Sequence, residues 1–352
     1  MSSIKYVGMD VHLATTSCAV LDSAGNQFSS NVIRTNLEAV RDFLNGLSGT
    51  VHLTFEEGAL AQWMFEITSP LVTKVIVCNA RTLKDKGLKN DDLDALKLAD
   101  LLRLNAIKGV YHQTRSVTEI KQLVAIYTQL TADRTRIINR LRAVFREQAE
   151  RISITAKDQL AAQIKKLPSL GHQVRAELLI GELEAVSQLR EQSRQELVKE
   201  GNRHSKYKLL QSLPGISEIR AAQLLAWVVT PHRFRTKRQF WSYCGLSVIS
   251  RSSSDYETDK HNRIVKKKRG KKTTTRGLNE NYHRGLKSLL KAAALDTLKS
   301  KKLKVVTERL IERGLDESIA RVQVARKLAA SVLAVWKTGK RFEVEKFIGD
   351  SG

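Results

Sequence analysis

Cysteine is scarce in this chain: 3 in 352 residues, at Cys18, Cys78 and Cys244, with no CxxC pair. That excludes a disulfide framework and a structural zinc knot, and it fits a reducing compartment. The 8 histidines add no metal-ligand spacing. Long hydrophobic runs are missing too. The most apolar stretch, Ala221 to Val229, is far too short to span a bilayer. The first residues, MSSIKYVGMDVH, lack the basic-then-apolar pattern of a secretory leader. A cytoplasmic protein with no membrane partner is expected. No strong internal repeat is visible. Acidic residues are outnumbered, 36 against 60 Lys+Arg, for a net charge of +24. Such an excess points to a polyanionic partner bound through phosphate neutralisation. What is present is ample apolar material, 42% of residues, enough for a proper core. The length suits two domains or two plus a connector.

The first hundred residues read as strands, then as alternating helices and strands. Ile4 to Met9, Thr16 to Leu21 and Ser29 to Arg34 are strand-like and separated by turn signals such as Ser23 to Asn26. Leu37 to Leu47 and Ala61 to Ser69 have helical spacing, Val51 to Phe55 and Lys74 to Cys78 are strands, and Asp92 to Asn105 is a helix. This is an α+β or α/β domain ending near Gly109.

Three acidic stations fall within it: Asp10 in KYVGMDVH, Glu56 in VHLTFEEG, and Asp91 with Asp94 in KNDDLDALKLADLL. Asp10 and Glu56 end strands, and an RNase-H-like sheet brings such ends to one edge. Asp91 and Asp94, three apart, share a helix face. Clustered carboxylates in a basic chain suit Mg²⁺ or Mn²⁺, hard cations that accept several oxygen ligands and offset charge on a phosphodiester under attack. Singly, each acid reads as a solvated carboxylate or a helix cap. Glu57 and Asp92 are alternatives for their neighbours, and Asp85 and Asp100 read as solvent-facing.

After Ser116 the character changes. Ile120, Leu123, Tyr127, Leu130, Arg134, Ile137, Leu141 and Val144 form an a/d seam interrupted at Arg134. One long helix packed in its own chain and an interchain coiled coil both fit it. Polar helical sequence continues to about Lys208. Then LLQSLPGISEIRAAQLLAWVV resembles a helix-hairpin-helix, with Gly215 for the turn and helix-start amides able to hold a phosphate. TPHRFRTKRQFWSYCGL is basic and aromatic and carries Arg235, Lys237 and Arg238. A serine loop follows, then RIVKKKRGKKTTTRG with Lys266, Lys267, Lys268, Arg269, Lys271 and Lys272. These cations are candidate phosphate contacts. Trp241, Tyr243 and Tyr282 flank the tract, as bases stacking on aromatics require, although single aromatics usually belong to a core. Leu278 to Leu298 and Glu317 to Trp336, the second capped by Asp316, are helices. The expected domains are 1–110, 111–205 as a helical coiled-coil arm, and a mainly α-helical 206–352.

GMDVH, FEEGALAQWM and KNDDLDALKLADLL together resemble the DEDD, RuvC-like domain of the insertion-sequence transposases of family one-ten. SLPGISEIRAAQLLA, RFRTKRQFWSYCGL, the serine loop and RGLNENYHRGLKSLLKAAA are similar to that family's second domain, in the same order. The resemblance implies a recombinase of a mobile element, working on donor and target DNA and guided by a structured bridge RNA. It implies homo-oligomers, a dimer assembling to a tetramer, with the acids of one subunit beside the serine of another, and nucleoid association when bound. It assigns Asp10, Glu56, Asp91 and Asp94 to the metal and Ser253 to nucleophilic attack. Ser254 stands where the family usually has glycine and Val248 where proline is common, so Ser252, Ser253 and Ser254 all remain candidates. Attack by serine would leave a phosphoserine link that conserves the ester's energy for rejoining. Two other readings fit the residues: a RuvC-type junction nuclease using water, and a non-enzymatic scaffold for RNA or DNA.

Overall fold

In the computed structural model the described residues are 4–79, 91–112, 117–152, 157–250, 256–258, 263–266, 275–278 and 281–349, with backbone alone for 91, 157–159, 249–250, 256–258, 264–266 and 275–276. The chain divides into two units, residues 1–116 and 117–352.

The first unit opens with three strands, β1 (Ile4–Val11), β2 (Thr15–Leu21) and β3 (Gln27–Arg34). They pair as an antiparallel meander. Helix α1 (Leu37–Asn45), capped by Asn36, carries the chain to β4 (Thr50–Glu56), which lies parallel beside β1. Helix α2 (Ala61–Thr68) leads to β5 (Lys74–Cys78), parallel to β4. Helix α3 (Asp91–Arg103) and a short edge strand β6 (Gly109–Val110) complete the unit. The sheet order is β3-β2-β1-β4-β5-β6. This is an RNase-H-like mixed sheet.

Strand alternation decides which face does what. Val7, Met9, Cys18, Val20, Leu53 and Phe55 point to one face and form a core with Val40 and Leu44 of α1 and Ala61 and Met64 of α2. The opposite face receives α3, which packs on β1, β2 and β4. Its sheet-facing residues Ala95, Leu98 and Ala99 are buried. Just past the helix, Asn105 has a left-handed φ of 52°, a conformation asparagine tolerates better than most residues.

The second unit begins with a long helical hairpin. Helix α4 (Thr118–Arg146) runs antiparallel to α6 (Leu170–Arg203), with α5 (Lys157–Lys165) near the closed end. Arg175 meets Glu147 at 3.3 Å and Arg140 meets Glu182 at 2.6 Å, while Arg190, further along α6, reaches back to Tyr127. The a/d seam of α4 is therefore packed within its own chain. Ile120, Val124 and Tyr127 are buried at one end and Ile137, Leu141 and Val144 at the other, with Leu130 and Arg134 only half-buried between them. Arg190 fills that gap: it donates to Tyr127 Oη at 2.6 Å and Thr131 Oγ1 at 3.1 Å, its guanidinium 5.0 Å from the tyrosine ring centre.

Beyond the hairpin, α7 (Tyr207–Leu210) and α8 (Glu218–Val228) flank the Leu-Pro-Gly-Ile turn. There follow α9 (Lys237–Tyr243), strands β7 (Val248–Ser250), β8 (Tyr256–Thr258), β9 (Ile264–Lys266) and β10 (Thr275–Leu278), and helices α10 (Arg284–Thr297), α11 (Lys301–Glu312), α12 (Glu317–Thr338) and α13 (Val344–Gly349). Helix α12 is the axis of this core. It buries Ala320, Val324, Ala325, Leu328, Ala329, Val332, Leu333, Val335 and Trp336, more than one face's worth, because helices meet it from several sides. Gly215, at φ 70°, lets the turn lie against α10: a Cβ there would sit 2.4 Å from Ala293 O.

One expected element is corrected. The helix read as starting at Leu278 starts at Arg284, because Leu278 pairs with Val248 in a strand and His283 caps the helix by accepting from Leu286 N–H. No helix among the described residues is long and apolar enough to cross a membrane. All three cysteines are buried thiols; burial alone pushes Cys18 up to about 12, so it is not a thiolate ligand or nucleophile at neutral pH.

Candidate functional site: an acidic sheet edge and a clamped hairpin

The acidic edge follows from register. Met9 pairs with Phe55 across the parallel β1–β4 ladder, so the next residues, Asp10 and Glu56, lie side by side where both strands end. Neighbouring strands run about 4.8 Å apart. Met9 and Phe55 are fully buried on the α1–α2 face, so alternation turns Asp10 and Glu56 to the α3 face.

The direction of α3 brings its first turn to the same edge. A Cβ on Gly8 would meet Ala95 O at 2.1 Å and Ala99 N at 2.5 Å. The far end of the helix, at Arg103, lies against Gly25 in the β2–β3 turn, and that turn is at the amino end of β1 because Tyr6 pairs with Leu21. So α3 runs antiparallel to β1, and the turn with Asp91 and Asp94 comes to the carboxyl edge. Asp94 is half-buried and lies one turn from buried Leu98, whereas Asp92 is exposed. Glu57 is exposed beyond the strand, while Glu56 is half-buried. Asp100 is solvent-facing as read from the sequence, 44% exposed and paired with Arg103, and Asp85 lies outside the described residues.

The carboxylates have neighbours of their own. His12 Nε2 lies 3.1 Å from Asp10 Oδ2, and Lys97 Nζ lies 3.6 Å from Asp94. The partial positive charge of the α3 amino terminus offsets some of the repulsion among the acids. The donor set is all oxygen, which fits a hard divalent cation and not zinc. Among the described residues, no group of three or more His, Cys, Asp or Glu is drawn together closely enough to hold an ion, and the Asp91 side chain is outside the description. His12 escaped the sequence reading. The signal for it was the Asp-x-His spacing, which on a strand puts both side chains on one face.

In the second unit, the candidate serines Ser252, Ser253 and Ser254 lie outside the described residues, as do Lys267, Lys268, Arg269, Lys271 and Lys272. The stem that carries them is described. β7 and β10 pair antiparallel, Val248 with Leu278 and Ser250 with Thr275, so the segment between them is held at its foot. Lys266 is seen as backbone only, paired with Tyr256. Arg235, Lys237 and Arg238 are exposed at the start of α9. Trp241 and Tyr243 are partly buried and pack against the core, with Trp241 Nε1 donating to Arg326 O at 2.9 Å and Tyr243 Oη to Trp227 O at 3.2 Å. Tyr282 packs its ring on Gly245, at φ 66°, with Lys287 Nζ 4.1 Å from the ring centre.

The foot of the stem is clamped by α12. Arg326 Nε donates to Leu246 O at 2.5 Å, while the backbone carbonyl of the same residue accepts from Trp241. Lys337 Nζ donates to Phe234 O at 2.6 Å. These ties span 80 and 103 residues of sequence and nothing local announces them. Arg326→Met is expected to destabilise the chain by about 2 kcal/mol, because a buried carbonyl loses its donor. Arg326→Lys, which keeps one donor, should lose less. Chemical denaturation measures both, and midpoints equal to wild type would show that the bond carries no weight.

Two family models match the chain. One, for the DEDD transposase domain of IS110 elements, covers residues 7–148. The other, described as Transposase IS116/IS110/IS902 family, covers residues 207–273. No curated protein matches.

Proposed function

The chain belongs to the IS110 family of transposases, enzymes that cut and rejoin DNA, and from that premise we propose a division of labour between its two units. Asp10, Glu56, Asp91 and Asp94 would hold divalent metal, Mg²⁺ or Mn²⁺, at the carboxyl edge of the first unit. When bound, the metal supplies electrostatic stabilisation of charge on the scissile phosphate. A serine of the clamped hairpin, Ser253 with Ser252 and Ser254 as neighbours, supplies the nucleophile. Its Oγ forms a bond to phosphorus as the bond from phosphorus to the leaving sugar oxygen breaks. The Oγ proton is lost, and the departing oxygen gains one. The resulting phosphoserine diester is reopened by the hydroxyl of a new strand, so joining needs no external energy source.

What supports the reading is the adjacency of Asp10 and Glu56 in the β1–β4 register, with the α3 amino terminus over the same edge, inside the segment matched by the DEDD family. The arm 111–205 serves as a spacer and assembly element in homo-oligomers, in which the acids of one subunit act beside the serine of another. Arg235, Lys237, Arg238 and the tract Lys266 to Lys272 neutralise backbone phosphates of donor and target DNA and of a structured guide RNA.

The test is to trap the intermediate. The chain is incubated with Mg²⁺, DNA spanning an end of its element, and RNA transcribed from the flanking sequence, then quenched in detergent, digested with nuclease and mapped by peptide mass spectrometry. A nucleotide adduct on Ser253 is expected. Cut DNA with free ends and unmodified serines would replace this reading with hydrolysis by water.

A further inference from the structure

Beside the foot of the serine-bearing hairpin lies an open depression of about 430 Å³. Its lining includes Arg233, Arg235, Gln239, Ser242, Tyr243 and Asn281. Ser242 and Tyr243 precede the hairpin and Asn281 follows it, so whatever occupies the depression lies against the base of the serine-bearing segment.

The walls are preset. Arg233 ends the 3₁₀ turn Pro231–Arg233, which Thr230 caps. Its guanidinium lies 4.8 Å from the Tyr243 ring centre and 5.2 Å from that of Phe234, so it packs against both aromatic rings. Tyr243 is itself fixed by the bond from its hydroxyl to Trp227 O. Gln239 Oε1 accepts from Arg235 N–H at 2.8 Å and from Thr236 N–H at 3.4 Å, which fixes the direction of the Gln239 amide NH₂. Arg235, at the rim, is exposed.

We propose that this depression is a subsite for one unstacked nucleotide of a single strand, with the base on the Arg233 guanidinium and the phosphate on Arg235. A flat guanidinium backed by an aromatic ring is a stacking platform indifferent to which base it receives. The Gln239 amide NH₂, fixed through its own oxygen, offers a hydrogen bond to base or sugar. The volume is of the size that small-ligand sites have. The position suits the use: a nucleotide held there lies against the residues that flank the β7–β10 stem. This rests on the reading of the hairpin as the serine carrier.

The test compares strands of equal charge. The full chain is titrated with a thymidine strand about twelve residues long and with an abasic strand of the same length, so that phosphates match and only bases differ. Wild type should prefer the thymidine strand. Arg233→Met should narrow that preference by about tenfold, the scale of one stacked base. Arg233→Lys should narrow it similarly, because an ammonium keeps the charge without the plane. Arg235→Ala should weaken both strands by the same factor and flatten the salt dependence. Near-ultraviolet circular dichroism checks that each variant is folded. A uridine strand in parallel tells whether DNA or RNA makes the larger use of the site. Equal binding of thymidine and abasic strands by wild type overturns the proposal, as does an unchanged ratio in both Arg233 variants. Because the assay involves no cleavage, a missing serine adduct with an intact ratio would sink only the recombination chemistry, and the reverse would sink only the subsite.

Discussion

Asp10→Asn is expected to leave the chain folded and to lower strand cleavage by at least about a thousandfold, the equivalent of about 4 kcal/mol of lost transition-state stabilisation. The substitution keeps shape and volume at the end of β1 and removes one negative charge. Asp10 is only 20% exposed and sits beside Glu56, so its charge acts at short range on whatever the edge holds. Stability should respond differently from activity. Without metal, the acids of the edge repel one another, and removing one relieves that repulsion. The loss of the Asp10–His12 contact offsets part of the gain. In metal-free buffer the variant should therefore melt at or slightly above the wild-type temperature. With Mn²⁺ added the order reverses, since only wild type gains binding energy on folding. A variant that loses activity and melts far lower without metal would mark Asp10 as structural. Asp92→Asn is the internal control. Asp92 is exposed, so its removal should change cleavage by less than about tenfold.

Much of this was legible in the sequence, and the legible parts share a cause. Ile4 to Met9 and Thr16 to Leu21 read as strands because each is a short, mainly apolar run bounded by turn signals, and the sheet buries β2 almost throughout. The acids could be assigned to strand ends and a helix start because apolar runs stop beside them. The sheet order and parallel β1–β4 pairing are long-range, and no local pattern in the sequence encodes them. The seam of α4 was read with its interruption at Arg134, but the α6 partner that fills the gap, Arg190, is 56 residues further on and has no local mark. Leu278 misled for a definite reason. A single leucine in phase with a helix is indistinguishable from one in a short strand, and the cap that starts α10 is a histidine, not one of the usual cap residues. Strands β7 to β10 are each three or four residues long, below the length at which alternation can be read. Arg326 and Lys337 looked like two more cations in a chain rich in them, and only folding turns them inward to backbone carbonyls.

Gly8→Val should have the largest effect on structure, and Gly8→Ala nearly as much. Glycine inside a strand usually marks a place where another backbone comes close. Here the approaching backbone is α3: the atoms that a Cβ would strike are Ala95 O at 2.1 Å and Ala99 N at 2.5 Å, neither of which can rotate away. The whole helix has to lift from β1, β2 and β4. Overpacking of this kind costs about 3 kcal/mol, which should speed amide exchange in α3 by about a hundredfold under native conditions. Hydrogen exchange read by mass spectrometry on the peptides covering 91–103 measures it directly. Two comparisons make the cause specific. Ala95→Gly should fail to rescue Gly8→Ala, because the clash is with the carbonyl and not with the alanine methyl. Gly58→Ala, where a Cβ meets nothing within 4 Å, should leave exchange unchanged. Cleavage should fall with the lifting of α3 even where most molecules remain folded. The first turn of α3 lies at the carboxyl edge only because Gly8 lets the helix lie on the strand that carries Asp10. If α3 exchanged no faster in Gly8→Ala, the helix would not be seated on that glycine, and the convergence of the acids on one edge would lose its physical basis.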